Sequence, residues 1–197
     1  EGGILRTSSP VDEIIVEGGI AIGCLLQSGE QLSADAVLAS AGAWTRKLGG
    51  VVKRHLPHVR PVRGQMIALD MSDGEPLCEM VIRAPDAYMV PRSDGKLVIG
   101  ATMEEMGFDE RLTAGGVFEL LRGAWEAMPG VYDLPLDDLW TGFRPISLSN
   151  EPILGPSKEI ENLWFATGHG RNGILLTPAT SLHLSEAMHT GEIPTAL

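Results

Sequence analysis

Near the start of the chain, apolar positions come in short strand-like runs. Ile14 to Val16 and Ile20 to Leu26 are β-branched and apolar, and Glu17-Gly18-Gly19 divides them, which predicts antiparallel strands within residues 11 to 32. Ala36 to Ala39 is a short apolar run followed by Ser40-Ala41-Gly42-Ala43-Trp44. It predicts a buried strand, a small-residue turn and a brief helix ending at Gly49-Gly50. Gly42 lies in that turn, where the missing side chain lets backbone or ligand come close. From Arg60 onward the texture is again that of strands: Arg63 to Leu69, Met80 to Ile82, Tyr88 to Val90 and Lys96 to Gly100, with Ser93-Asp94-Gly95 as a hairpin turn. The period changes at Thr113. Val117, Leu120, Leu121, Ala124 and Met128 recur at helical spacing until Pro129-Gly130 stops them. A strand through Leu139 to Phe143 is expected to close at Arg144-Pro145. Leu163 to Ala166 then predicts a strand, Gly168-His169-Gly170 a tight turn, and Leu175 to His189 a helix that admits Pro178 only in its first turn. No internal repeat, low-complexity stretch or long linker interrupts this mixture of α and β elements.

The 197 residues, 44% of them hydrophobic, are enough for a buried core. Fifteen basic against 26 acidic residues give a net charge of −11, which argues against binding a phosphate backbone and so against a nucleic-acid partner. Cys24 and Cys78 are far apart, with no CxxC or Cys/His spacing, and the histidines show no HExxH pattern, so no metal site or disulfide framework is expected. A reducing cytoplasm is the expected compartment. No apolar run reaches the roughly 18 residues of a membrane span, and Glu1-Gly-Gly-Ile has neither part of a signal peptide. Glu1 is not an initiator Met, so the protein is expected to begin further upstream.

Gly168, Gly170 and Gly173 satisfy GxGxxG between a strand and a helix, but too little chain follows for a complete nicotinamide-binding unit of about 30 residues. The physics of the turn survives, because free N–H groups at a helix start attract negative charge. Arg144 has a planar fork that can hold a carboxylate through two parallel hydrogen bonds, although a solvent-facing Arg beside a turn would look the same. Tyr88 alone reads as a half-buried strand residue and Met103 as a gap-filler. His169 has no partner at catalytic spacing and is not assigned general-base work. No GxSxG elbow is present. The scattered Trp44, Trp125, Trp140 and Trp164 are expected to pack in cores.

The segment Thr167-Gly168-His169-Gly170-Arg171-Asn172-Gly173-Ile174-Leu175-Leu176-Thr177-Pro178-Ala179-Thr180 resembles the closing FAD-contact motif of the glycine oxidase and D-amino-acid oxidase family, written GH-aromatic-RNGILLAPAT. Tyr88 to Arg92 with Val98 to Met103, Trp140 to Pro145 with Glu151 to Gly155, Pro61 to Gln65, and Val37 to Trp44 follow in the family's order. The resemblance thus covers nearly all of the chain. It implies an α+β fold: an antiparallel substrate-binding sheet with helices at 51–149, and the carboxy-terminal part of a Rossmann-like FAD-binding domain at 1–50 and 150–197. The amino-terminal GxGxxG segment would lie upstream.

The resemblance also implies roles. His169, Gly170, Arg171, Asn172, Gly173, Ile174 and Leu175, joined by Gly42, would contact FAD, mostly through backbone. The Arg171 side chain would turn toward substrate, Arg144 would anchor the substrate carboxylate with help from the Tyr88 hydroxyl, and Met103 would form a pocket wall. Gly170 departs from the family, where an aromatic is common. Sarcosine oxidases attach flavin through a Cys after the strand equivalent to Phe143-Arg144, where this chain has Pro145-Ile146-Ser147, so non-covalent FAD is expected. The implied reaction is oxidation of glycine, sarcosine or a D-amino acid to an oxo acid, with oxygen as acceptor and peroxide as product. No acid or base residue is required, and the 197 residues alone are expected to be inactive. Two alternatives stay open, an inactive folded fragment or ligand-binding module, and a flavin dehydrogenase with another substrate. Homo-oligomerisation is also left open.

Overall fold

Backbone pairing in the computed structural model, which describes residues 2–191, defines eleven strands and two α-helices. In chain order they are β1 (Val11–Glu17), β2 (Ile20–Leu26), β3 (Gln31–Ser33), β4 (Val37–Ala39), β5 (Val59–Asp70), β6 (Ile82–Arg83), β7 (Tyr88–Pro91), β8 (Lys96–Gly100), α1 (Ala114–Ala127), β9 (Leu136–Ser147), β10 (Ile153–Pro156), β11 (Leu163–Thr167) and α2 (Gly173–Thr190). The chain divides into two units, one holding the described residues up to Arg60 and from Arg144 onward, the other Pro61–Phe143. Both divisions fall inside the interval 51–149 expected for the middle segment, because they cut through β5 and β9 rather than through loops. Glu1 and residues 192–197, which belong to the expected flavin-domain segments, lie outside the described residues.

The first unit opens with the expected hairpin. Gly18 and Gly19 both take positive φ, at 59° and 88°, so the two-residue turn matches the right-handed twist of β1 and β2. Their sheet has the order β1-β2-β3, and a second sheet, β10-β11-β4, pairs β10 antiparallel and β4 parallel to β11. Ile14, Ala21, Ala39, Val51, Leu56, Ile160, Leu163 and Phe165 form the core. β4 is an edge strand rather than a fully buried one, and Leu38 stays 41% exposed. The brief helix after it is of the 3-10 type, at Gly42–Lys47, and carries an exposed Trp44.

The second unit is an antiparallel sheet of order β6-β7-β8-β5-β9. Alternation puts Ile67 and Leu69 of β5, Met89 of β7, and Leu97 and Ile99 of β8 into one core with Leu120 and Ala124 of α1. Each fully buried Leu or Ile here stabilises by about 1.5–3 kcal/mol relative to exposure. Thr113 caps α1 by accepting from the Gly116 N–H, and Pro129 ends the helix. Trp125 lies on the outer face of α1, exposed rather than in the expected core.

Three expected boundaries move. β6 holds only Ile82 and Arg83, because Met80 and Val81, though apolar, are exposed in the preceding loop. Arg144 does not close its strand: β9 continues through Pro145 to Ser147, and as the edge strand of its sheet it tolerates a residue without an N–H. α2 starts at Gly173, so Pro178 is its sixth residue and lies beyond the first turn. Among the described residues no helix is long and apolar enough to cross a membrane.

Candidate functional site

In the first unit, β11 delivers Thr167 to the glycine turn. Its buried hydroxyl donates to the Gly42 carbonyl at 3.0 Å, and the Thr45 hydroxyl lies 2.8 Å from the same carbonyl and 3.1 Å from Thr167 Oγ1. Thr45 has one proton, so it serves one of these acceptors at a time. Gly42 is thereby fixed beside the end of β11, and two of the expected cofactor-contacting stretches meet. Gly168 packs tightly, since a Cβ there would stand 3.2 Å from Ser147 Cβ and 3.3 Å from the Glu151 carbonyl oxygen. Gly170 has a φ of 58°, and a Cβ would come 3.0 Å from Ile146 Cδ1, so the left-handed turn and the approach of β9 both favour glycine.

Residues 170–172 form one 3-10 turn, closed by the Asn172 N–H donating to the His169 carbonyl at 3.0 Å, and run directly into α2. The first-turn N–H groups of such a helix have no intrahelical partner. Arg171 and Asn172 are exposed, Ile174 is 91% exposed and Leu175 78%. Polar donors and apolar side chains therefore share one open surface. Burial lowers the His169 pKa from its ordinary value, so the ring is neutral near pH 7.

Arg144 belongs to the same unit. Ile146, two residues on in β9, forms an antiparallel bridge with His169. Because strand side chains alternate, Arg144 shares the face of Ile146, whose side chain reaches toward Gly170. The first unit thus fixes Gly42 and the 168–170 turn at the end of β11, with Arg144 two residues before the β9 bridge to His169.

Tyr88 and Met103 lie in the second unit. Tyr88 pairs with Gly100 across β7 and β8, and its hydroxyl occupies the space above that glycine, 2.6 Å from where a Cβ would stand. Tyr88 alternates with the fully buried Met89, so its ring lies on the sheet face opposite α1. Met103, in the segment after β8, is 67% exposed.

A polar cluster that sequence reading missed holds this segment. Arg63, 1% exposed, donates to the carbonyl oxygens of Asp109 and Arg111 at 3.2 and 2.7 Å and pairs with the Glu104 carboxylate. Gln65 donates to Glu104 at 2.8 Å and to Thr113 Oγ1 at 2.9 Å, and accepts the Thr113 N–H, while the Thr102 hydroxyl also bonds Glu104. Burial alone would raise the Glu104 pKa, but the bonds from Arg63, Thr102 and Gln65 outweigh it and hold the carboxyl below its ordinary value. The signal was present as two polar residues, Arg63 and Gln65, on a strand otherwise fit for a core, since buried polar groups need partners.

The first unit carries a strand, a glycine turn and an open helix start, the second an antiparallel sheet, and these elements are those of a flavin-dependent oxidoreductase. The chain belongs to the DAO family of FAD-dependent oxidoreductases, whose sequence profile matches residues 1–187. It is 35% identical over 190 residues to a glycine oxidase of Pseudomonas putida, covering 96% of this chain and 51% of that protein. It is 37% identical over 184 residues to a bifunctional ThiO/ThiG protein of Trichormus variabilis, covering 92% of this chain and 27% of that one. The solved glycine oxidase of Bacillus cereus superposes with a TM-score of 0.84 at 27% identity, over 96% of this chain and 52% of the other. The chain therefore spans about half, or less, of the length of these relatives. FAD is the cofactor of the family, and the mixed α and β fold agrees with the glycine oxidase fold.

Proposed function

We propose that the chain supplies the substrate-binding sheet and the closing part of the flavin domain of an FAD-dependent oxidase acting on glycine, sarcosine or a D-amino acid. Pro61–Phe143 takes the first role and the discontinuous unit the second. The observation that carries this reading is the turn at residues 168–173, with the family's closing motif on an open helix start. Its donor set suits a flat ring with a carbonyl edge: N–H groups for the edge, and the exposed Ile174 and Leu175 for the ring. His169, Gly170, Arg171, Asn172, Gly173, Ile174, Leu175 and Gly42 would hold the group without a covalent bond.

Hydride acceptance from the substrate α-carbon is the cofactor's chemistry. The chain's own residues bind and orient. Arg144 takes the substrate carboxylate through its fork, Tyr88 adds a hydroxyl, Arg171 lends positive charge, and Met103 walls the pocket. The positive end of α2 stabilises negative charge as it develops nearby. The amine is oxidised to an imine, water hydrolyses the imine to the oxo acid and ammonia (or methylamine from sarcosine), and oxygen takes up the two electrons as peroxide. The reading is tested on the full-length protein by its flavin absorption and by peroxide release with each amine. Turnover with a dye but no peroxide would assign a dehydrogenase instead, and no flavin would reject the reading.

A further inference from the structure

The flavin reading uses His169 through its backbone and leaves its side chain without a task. The ring is half-buried, and Nε2 lies 3.0 Å from Thr180 Oγ1, well inside α2. The main chain of the same residue bridges Ile146 of β9, and its carbonyl accepts the Asn172 N–H. One residue therefore ties together β9, the 3-10 turn and the body of α2.

Thr180 is placed where α2 is weakest. Pro178 has no N–H, so the Ile174 carbonyl lacks the helical donor that residue 178 would normally supply. Local hydroxyls work on either side of the break: Thr177 Oγ1 donates to the Gly173 carbonyl at 2.8 Å, and Ser181 Oγ to the Pro178 carbonyl at 3.0 Å. Neither of these bonds links the turn before α2 to the helix beyond Pro178. The His169–Thr180 bond does.

We propose that His169 is a positioning residue whose side chain, bonded to Thr180, clamps the 168–173 turn to the part of α2 beyond Pro178. The clamp keeps the first-turn N–H groups in the arrangement a flavin ring requires, and it rests on the reading of this turn as the FAD site.

The test compares the full-length wild type with Thr180→Val, His169→Asn, His169→Gln and the double variant Thr180→Val/His169→Asn. FAD dissociation constants are read by titration, and melting of the apoprotein is followed in parallel. A Gln amide reaches the position of Nε2, whereas Asn reaches only that of Nδ1. Thr180→Val and His169→Asn should each raise the FAD dissociation constant about three- to tenfold, the double variant no further, and His169→Gln should stay within about twofold of wild type. Should His169→Asn fail to fold, Thr180→Val against His169→Gln makes the same comparison. Lower melting temperatures with unchanged FAD affinity, or additive effects in the double variant, would overturn the clamp while leaving the flavin reading intact. A wild type that binds no FAD would overturn both.

Discussion

Replacing Arg63 by Met removes a buried charge while keeping most of the side chain's length. The guanidinium, 1% exposed, serves the carbonyl oxygens of Asp109 and Arg111 and the carboxylate of Glu104, and Met serves none of them. Breaking one half of a buried pair costs about 3–5 kcal/mol. Glu104 is 24% exposed and keeps Thr102 and Gln65, which puts the loss near the lower end, at about 3 kcal/mol. Hydrogen exchange of the α1 amides in the 197-residue chain reads this directly, because α1 starts at Thr113, which Gln65 holds. The acid dependence supplies a second reading. The folded-state pKa of Glu104 lies below its ordinary 4.5, so the stability from this carboxylate is full above about pH 4.5 and is lost as pH falls through the folded value. Arg63→Met should flatten that acid limb. A loss below about 0.5 kcal/mol together with an unchanged acid limb would show that the cluster does not hold the segment.

Arg144→Lys in the full-length protein should raise KM about ten- to a hundredfold for glycine and sarcosine and leave a carboxylate-free amine unaffected, and equal effects on both classes would exclude the anchor role. Acid precipitation should leave FAD in the supernatant, and flavin retained in the pellet would contradict non-covalent binding. His169 has a folded-state pKa below its ordinary 6.5, so the unfolded chain binds more protons between the two values. Stability should be full above about pH 6.5 and fall as pH drops toward the folded value. Melting temperatures from pH 7.5 to 5 should show this limb in wild type and lack it in His169→Gln.

Local signals were legible because their causes are local. The Gly18-Gly19 hairpin and the helix between Thr113 and Pro129 depend on turn chemistry and on one repeating period, and both formed where expected. β9 ran past Pro145 because its tolerance depends on having no strand on one side, which neighbouring residues do not record. Met80 and Val81 resemble a strand in composition, yet no partner strand covers them in the second unit. In the turn, the motif marked residues 168–175, but the Thr45–Thr167 contact spans 122 positions and was invisible until the chain folded. His169 and Thr180 belong to one motif, yet 11 residues of continuous helix would span about 16 Å, so their 3.0 Å contact depends on the turn at 170–172 folding back on α2 and could not be read from the spacing.

The discontinuous first unit has a consequence for the order of folding. Pro61–Phe143 is contiguous and can fold once it has been synthesised, whereas the first unit must wait for β10, β11 and α2. Bringing Arg60 to Arg144 across a flexible inserted segment would carry a closure entropy on the order of 4 kcal/mol. A folded insert removes most of that cost, because its ends leave on the adjacent strands β5 and β9 and are already side by side. Substitutions that delay formation of the sheet in the inserted unit should therefore slow completion of the glycine turn, although they lie in a different unit.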